Sequence, residues 1–265
     1  MRSIIFLCLF FSQTTLASFD ANRNIQDSYR HIINLEFDKA NIILDNEQST
    51  NPNNGFIPLY RNYIDFLTII ITEDIDYFEQ HKNLKDQRLA FLDDNCNESP
   101  YYLYSKAEIR LQWAFIKLKF EEFPTAAYEI LRAYKLLQKN KQRFPEFTLN
   151  NKGLGLIHIL LGVVPNDYYW ILDLAGLDGD VSLGFRQLDT VLNDFSFNMY
   201  KDEVLFLLAF LQTNLGNNDA ISKYYLDLIG DRYKDNLLLN FSAARLSYKL
   251  GLNNFCLNVL TNRPN

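Results

Sequence analysis

The chain has 265 residues, 48% of them hydrophobic, with 26 basic against 32 acidic side chains and a net charge of −6. That is enough apolar material for one large core or a continuous repeat core. With a pI near 5.1 and no lysine- or arginine-rich run, it offers a nucleic-acid backbone no electrostatic footprint, and only 10 Gly and 7 Pro favour long helices over a many-turn β fold.

The chain begins "MRSIIFLCLFFSQTTLAS". Arg2 is a short positive region, Ile4–Phe11 an apolar one, and Thr15-Leu16-Ala17 places small residues at the cleavage positions. This pattern predicts a signal peptide over 1–17, removed after Ala17, and therefore export. No later apolar run is long enough for a membrane span, so none is expected after cleavage. Cys96 and Cys256 remain, 160 residues apart. In an elongated repeat protein these would sit too far apart to bridge, and Cys256 reads as a small core residue. No cysteine spacing suits zinc.

Helices are predicted at about 20–34, 36–46, 58–72, 75–93, 200–215, 217–230, 235–250 and 253–261, with loops at 48–57 and 95–100. Four turns look alike: "NLEFDKA" at 34–40, "KFEEFPTA" at 119–126, "NLGNNDA" at 214–220 and "KLGLNNFC" at 249–256. Each ends one amphipathic segment and starts another on a small residue. Gly216 and Gly251 fit the left-handed conformation that closes a helix. Leu215-Gly216 and Leu250-Gly251 are 35 apart, a spacing that resembles the tetratricopeptide repeat.

Within the hairpin at about 100–140, Leu103, Ala107, Leu111, Ala114, Phe115 and Leu118 form one helical face, and Ala127, Ile130, Leu131, Tyr134 and Leu137 form its partner. The stretch "YYLYSKAEIRLQW" interleaves aromatic and basic residues. The plain reading is a core face and a solvated face. The sharper one makes Tyr104, Lys106, Arg110 and Trp113 a partner-binding row for an extended peptide or a sugar.

The stretch 151–170, "NKGLGLIHILLGVVPNDYYW", carries a G-x-G. It lacks the third glycine of a dinucleotide fingerprint, and neither Lys-Ser nor Lys-Thr follows it. Its apolar run is too short for a membrane. His158 has no Cys, Asp or Glu at helical metal spacing, which leaves a satisfied core histidine. The expectation is a buried helix closed by Pro165, then "YYWILDLA", then "VSLGFRQLDTVL": a three-helix apolar insert over 152–194. Asp173, Asp178 and Asp180 depart from a calcium-loop spacing, and Asp180 reads as a helix cap.

The run "KGLGLIHILLGVVPNDYYWILDLAGLDGDVSLGFRQLDTVL" resembles the signature stretch of the tetratricopeptide repeat 39 / Iml2-like family, through Gly153, Pro165, Ile171, Leu172, Gly176, Gly179, Asp180, Gly184 and Leu188. The resemblance implies an all-α, tetratricopeptide-like superhelix of helical hairpins with no catalytic residues to carry over. The signal segment makes it an exported bacterial relative, placed in the periplasm or cell envelope of a Gram-negative cell. The domain reading is a signal peptide at 1–17 and one helical-repeat domain over 18–265, with hairpins at about 20–47, 57–94, 100–140, 200–230 and 235–262 around the insert.

The function expected is a non-catalytic scaffold for an unidentified protein or peptide, without cofactor or metal. The alternative is a periplasmic glycan-binding module of SusD-like architecture. An enzyme is disfavoured because there are only three His and no G-x-S-x-G elbow. At the C-terminus, Phe255, Cys256, Val259 and Leu260 form the apolar set of the last helix. Part of that set is expected to stay uncovered, which implies a shortened form, a partner, or self-association through this repeat.

Overall fold

The computed structural model describes residues 19–95, 98–164 and 179–264. The signal segment at 1–17, Cys96 and the expected second helix of the insert lie outside the described residues. Within them the regular structure is helical and no strand occurs. The helices are α1 (Arg23–Ile33), α2 (Phe37–Thr50), α3 (Phe56–Thr72), α4 (Ile75–His81), α5 (Leu84–Asn95), α6 (Pro100–Lys119), α7 (Phe123–Arg143), α8 (Asn150–Gly162), α9 (Val181–Leu192), α10 (Lys201–Leu215), α11 (Asp219–Ile229), α12 (Leu237–Lys249) and α13 (Asn253–Thr261). The helix expected at 75–93 is two, α4 and α5, divided by a turn at 82–83. Short 3-10 segments, Phe195–Tyr200 and Gly230–Lys234, lead into α10 and α12.

Consecutive helices pair as hairpins: α1 with α2, α6 with α7, α8 with α9, α10 with α11, and α12 with α13. Three of their turns are the same turn built from different residues. Leu35, Glu121 and Gly251 all take the left-handed conformation, at φ 61°, 62° and 71°. The next amide then reaches back five residues in each: Glu36 N to His31 O at 2.8 Å, Glu122 N to Lys117 O at 2.8 Å, and Leu252 N to Ser247 O at 2.9 Å. These bonds satisfy carbonyls that the ending helix leaves unpaired. Five residues after each left-handed position stands the expected small side chain. Ala40 and Ala126 are fully buried and Cys256 is half-buried, its thiol donating to Ala244 O at 3.4 Å.

The fourth turn departs from this pattern. Gly216 is extended, at φ −84° and ψ 146°, not left-handed. A side chain there would strike Gln212 Oε1 at 2.1 Å. The small residue seated in that hairpin is Ser222, which accepts from Gln212 Nε2 at 3.2 Å, whereas Ala220 is exposed. The face of α7 agrees with expectation at Ile130 and Leu137 and is shifted by one position elsewhere, toward Ala126 and Ala133 in place of Ala127 and Tyr134. Ala126, Ile130, Ala133 and Leu137 are buried, and Ala127 is half-exposed.

The glycines of 151–170 serve packing. A Cβ on Gly155 would meet Gly184 O at 2.8 Å, and one on Gly184 would meet Gly155 O at 2.5 Å. Helices α8 and α9 therefore cross backbone to backbone, which only glycine permits. Asp180 caps α9, accepting from Leu183 N at 2.8 Å, as expected. With α8 against α7 and α9 against α10, the described part of the insert continues the series of hairpins.

Helix α6 is buried nearly all round, enclosed by α3, α5, α7 and α8. The first helices of the successive pairs converge on one interior, where Tyr29 of α1 reaches Glu203 of α10 across 174 positions of sequence.

Candidate functional site

The convergence point is a lysine. Lys152 has no exposed surface. Its ammonium donates to Glu203 Oε1 at 2.7 Å, to Glu108 Oε1 at 2.9 Å and to Tyr63 Oη at 2.6 Å, which uses all three of its protons. Tyr63 Oη lies 3.2 Å from Glu108 and 3.1 Å from Glu203, so its one proton goes to one carboxylate or the other. Tyr29 donates to the second oxygen of Glu203. Tyr60, Tyr104 and Tyr200 complete the wall, each essentially without exposed surface. The rings of Tyr29 and Tyr200 meet edge to face at 5.0 Å.

The electrostatics follow from burial and pairing. Burial alone would lower the pKa of Lys152, but the Glu108 and Glu203 carboxylates outweigh it and raise it above the ordinary lysine value. Burial raises the pKa of Glu108, and the neighbouring Glu203 charge adds to this while Lys152 opposes it. Burial also pushes Tyr29, Tyr63 and Tyr104 well above the usual phenol range, with Glu203 adding to it at Tyr29 and both carboxylates adding to it at Tyr63 and Tyr104. Five helical segments, α1, α3, α6, α8 and α10, thus share one closed charge network. Sequence reading missed it because Lys152 looks like the polar start of an apolar helix and Glu108 like part of a solvated face.

The four residues expected to form a binding row do not form one. Tyr104 and Trp113 are core side chains, 0% and 1% exposed, on opposite faces of α6. The Trp113 indole donates to Asn62 Oδ1 at 2.8 Å. Lys106 pairs with Asp93 and lies over the Tyr102 ring. Arg110 donates to Glu129 Oε2 at 2.6 Å, and Lys85 holds the other oxygen of that buried carboxylate. These contacts consume the charges within α5, α6 and α7. His158 is half-buried, with Nδ1 2.7 Å from Gln187 Oε1, in keeping with the core reading. Among the described residues no group of His, Cys, Asp or Glu is arranged to hold a metal, and no helix is long and apolar enough to cross a membrane.

An open surface lies elsewhere. On α12, Leu237, Asn240, Phe241, Ala244, Arg245 and Tyr248 recur at helical spacing and line a groove of about 820 Å³. Leu35 of the α1–α2 turn, Leu260 of α13 and Arg263 just after it also line the groove. Phe241, Tyr248 and Leu260 are 45%, 75% and 52% exposed. The opposite face of α12, with Leu239, Ala243 and Leu246, is core. The last helix also leaves Leu257 exposed beside Leu260, while Val259 is fully buried, so the apolar surface expected at the C-terminus is present.

No family model, curated protein or solved structure matches the chain.

Proposed function

We propose that this protein is a non-catalytic helical-repeat scaffold, of tetratricopeptide-like kind, that docks a protein or peptide on the α12 groove. The observation that carries the reading is the apolar stripe Leu237–Phe241–Ala244–Tyr248 on one helix, where Phe241 and Tyr248 are exposed, Leu237 is half-buried and Ala244 lies buried beneath them, an apolar concavity of the kind that marks an interaction site. The interior supports it from the other side. Lys152 has its donors engaged and no exposed surface, the setting of a structural charge rather than of a group awaiting substrate. The residues 1–17 support a working place outside the cytoplasm, in the periplasm or cell envelope. Protein recovered from its own host then begins at Ser18, and a soluble form that keeps Met1 refutes the export.

Site-specific cross-linking tests the docking. A photoreactive residue at Tyr248 is compared with one at Ile42 of α2, which is similarly exposed at 69%. The scaffold reading expects a discrete adduct from the first position and none from the second. No adduct from Tyr248, or equal adducts from both, contradicts it.

A further inference from the structure

We infer that the occupant of the α12 groove is an acidic amphipathic helix; this rests on reading the groove as a docking surface. The shape comes first. The apolar stripe runs most of the length of α12, about 18 Å at 1.5 Å per residue. It presents side chains at the i, i+3, i+4, i+7 spacing that a second helix meets with its own. The groove floor is helix, whose backbone donors and acceptors are spent within α12. An extended strand laid there would find no ladder to join, so a partner that satisfies its own backbone fits best.

Charge sets the chemistry. The chain carries 32 acidic against 26 basic side chains, yet the groove is lined by Arg245, Lys249 and Arg263 and by no carboxylate. Lys249 is occupied, capping α10 through the carbonyls of Gln212, Thr213 and Gly216. Arg245 and Arg263 are exposed at the rim. The Arg245 guanidinium stands 5.7 Å over the Phe241 ring, beside the apolar floor. A segment with leucine-like residues on one face and carboxylates on its flanks matches both features. A second copy placed face to face would set these arginines against each other. A recess lined from three elements, by Leu35, α12 and Leu260, suits a single helix better than a flat anionic bilayer.

The test uses the mature chain and fluorescently labelled designed helices of about three turns. One carries leucine on one face and glutamate on the other, a second has lysine for glutamate, and a third scrambles the first. The glutamate helix is expected to bind at least about tenfold more tightly than either control, and to weaken with salt. Reversing both rim charges, Arg245→Glu with Arg263→Glu, is expected to move the preference to the lysine helix. Tyr248→Asp is expected to weaken both. Circular dichroism checks that these surface variants remain folded. Equal or tighter binding of the lysine helix to the unaltered chain overturns the inference. If no helix binds while Tyr248 still cross-links a discrete protein, the inference fails and the docking reading stands. If both fail, the groove is not a docking site. Cosedimentation with anionic vesicles, or a concentration-dependent dimer, either one abolished by Tyr248→Asp, overturns the inference in favour of a membrane or of self-association.

Discussion

Lys152 shows how one residue can be obvious in a structure and silent in a sequence. Its partners Glu108, Glu203 and Tyr63 lie 44, 51 and 89 positions away, and no local pattern reports that kind of spacing. What was legible was the helix around it, because an apolar run closed by proline reads as interior whatever its first residue does. The row Tyr104, Lys106, Arg110 and Trp113 misled for the same reason in reverse. Aromatic and basic residues in one stretch look like a ligand face until the carboxylates that consume them, Asp93 and Glu129, are seen on neighbouring helices. The buried tyrosines give this scale a pH prediction. Their folded pKa values are raised, so the folded chain holds phenol protons that the unfolded chain releases near pH 10. The same sign holds for Lys152. Their contribution to stability is therefore whole below about pH 10, the unfolded value, and is lost as pH rises above it toward the raised folded values. Phenolate absorbance from these tyrosines should appear together with loss of helical signal. Their full ionisation in a chain that keeps its helices would contradict the burial.

At the scale of elements, helix positions and most turns followed from periodicity and turn chemistry. The resemblance among "NLEFDKA", "KFEEFPTA" and "KLGLNNFC" is real in three dimensions, since Leu35, Glu121 and Gly251 hold one conformation. Glycine marks the left-handed turn at Gly251 as expected, but it is not what the three turns share. Two of these turns impose the left-handed conformation on ordinary residues, and Gly216, which has the glycine, does not use it. The division of 75–93 into α4 and α5 is also not legible, because neither glycine nor proline marks the turn at Lys82-Asn83. The turn chemistry makes a paired prediction. Gly251→Ala places a side chain at φ 71° and should destabilise by about 1 kcal/mol. Glu121→Gly relieves the equivalent strain and should be neutral or stabilising by up to about 1 kcal/mol. Thermal unfolding of the two variants decides it, and equal destabilisation by both would show that the two turns are not equivalent.

At the scale of the molecule, the network ties the start of the chain to helices far along it, because α1 and α8 both bond to Glu203 of α10. An open stack of hairpins would leave its concave side free for a partner. Here that interior is filled among the described residues, and the groove on α12 is an apolar concave surface that stays open. Removing Lys152 alone strands two buried carboxylates, a loss of about 3–5 kcal/mol, whereas Lys152→Met with Glu108→Gln and Glu203→Gln removes the charges together and should recover much of it. Hydrogen exchange on the unaltered chain and on these two variants measures the claim directly. For Lys152→Met, protection should fall together in α1, α3, α6, α8 and α10 and return in the triple variant. A loss confined to α8 and α9, with α1 and α10 unchanged, would contradict a closed interior held by one shared charge.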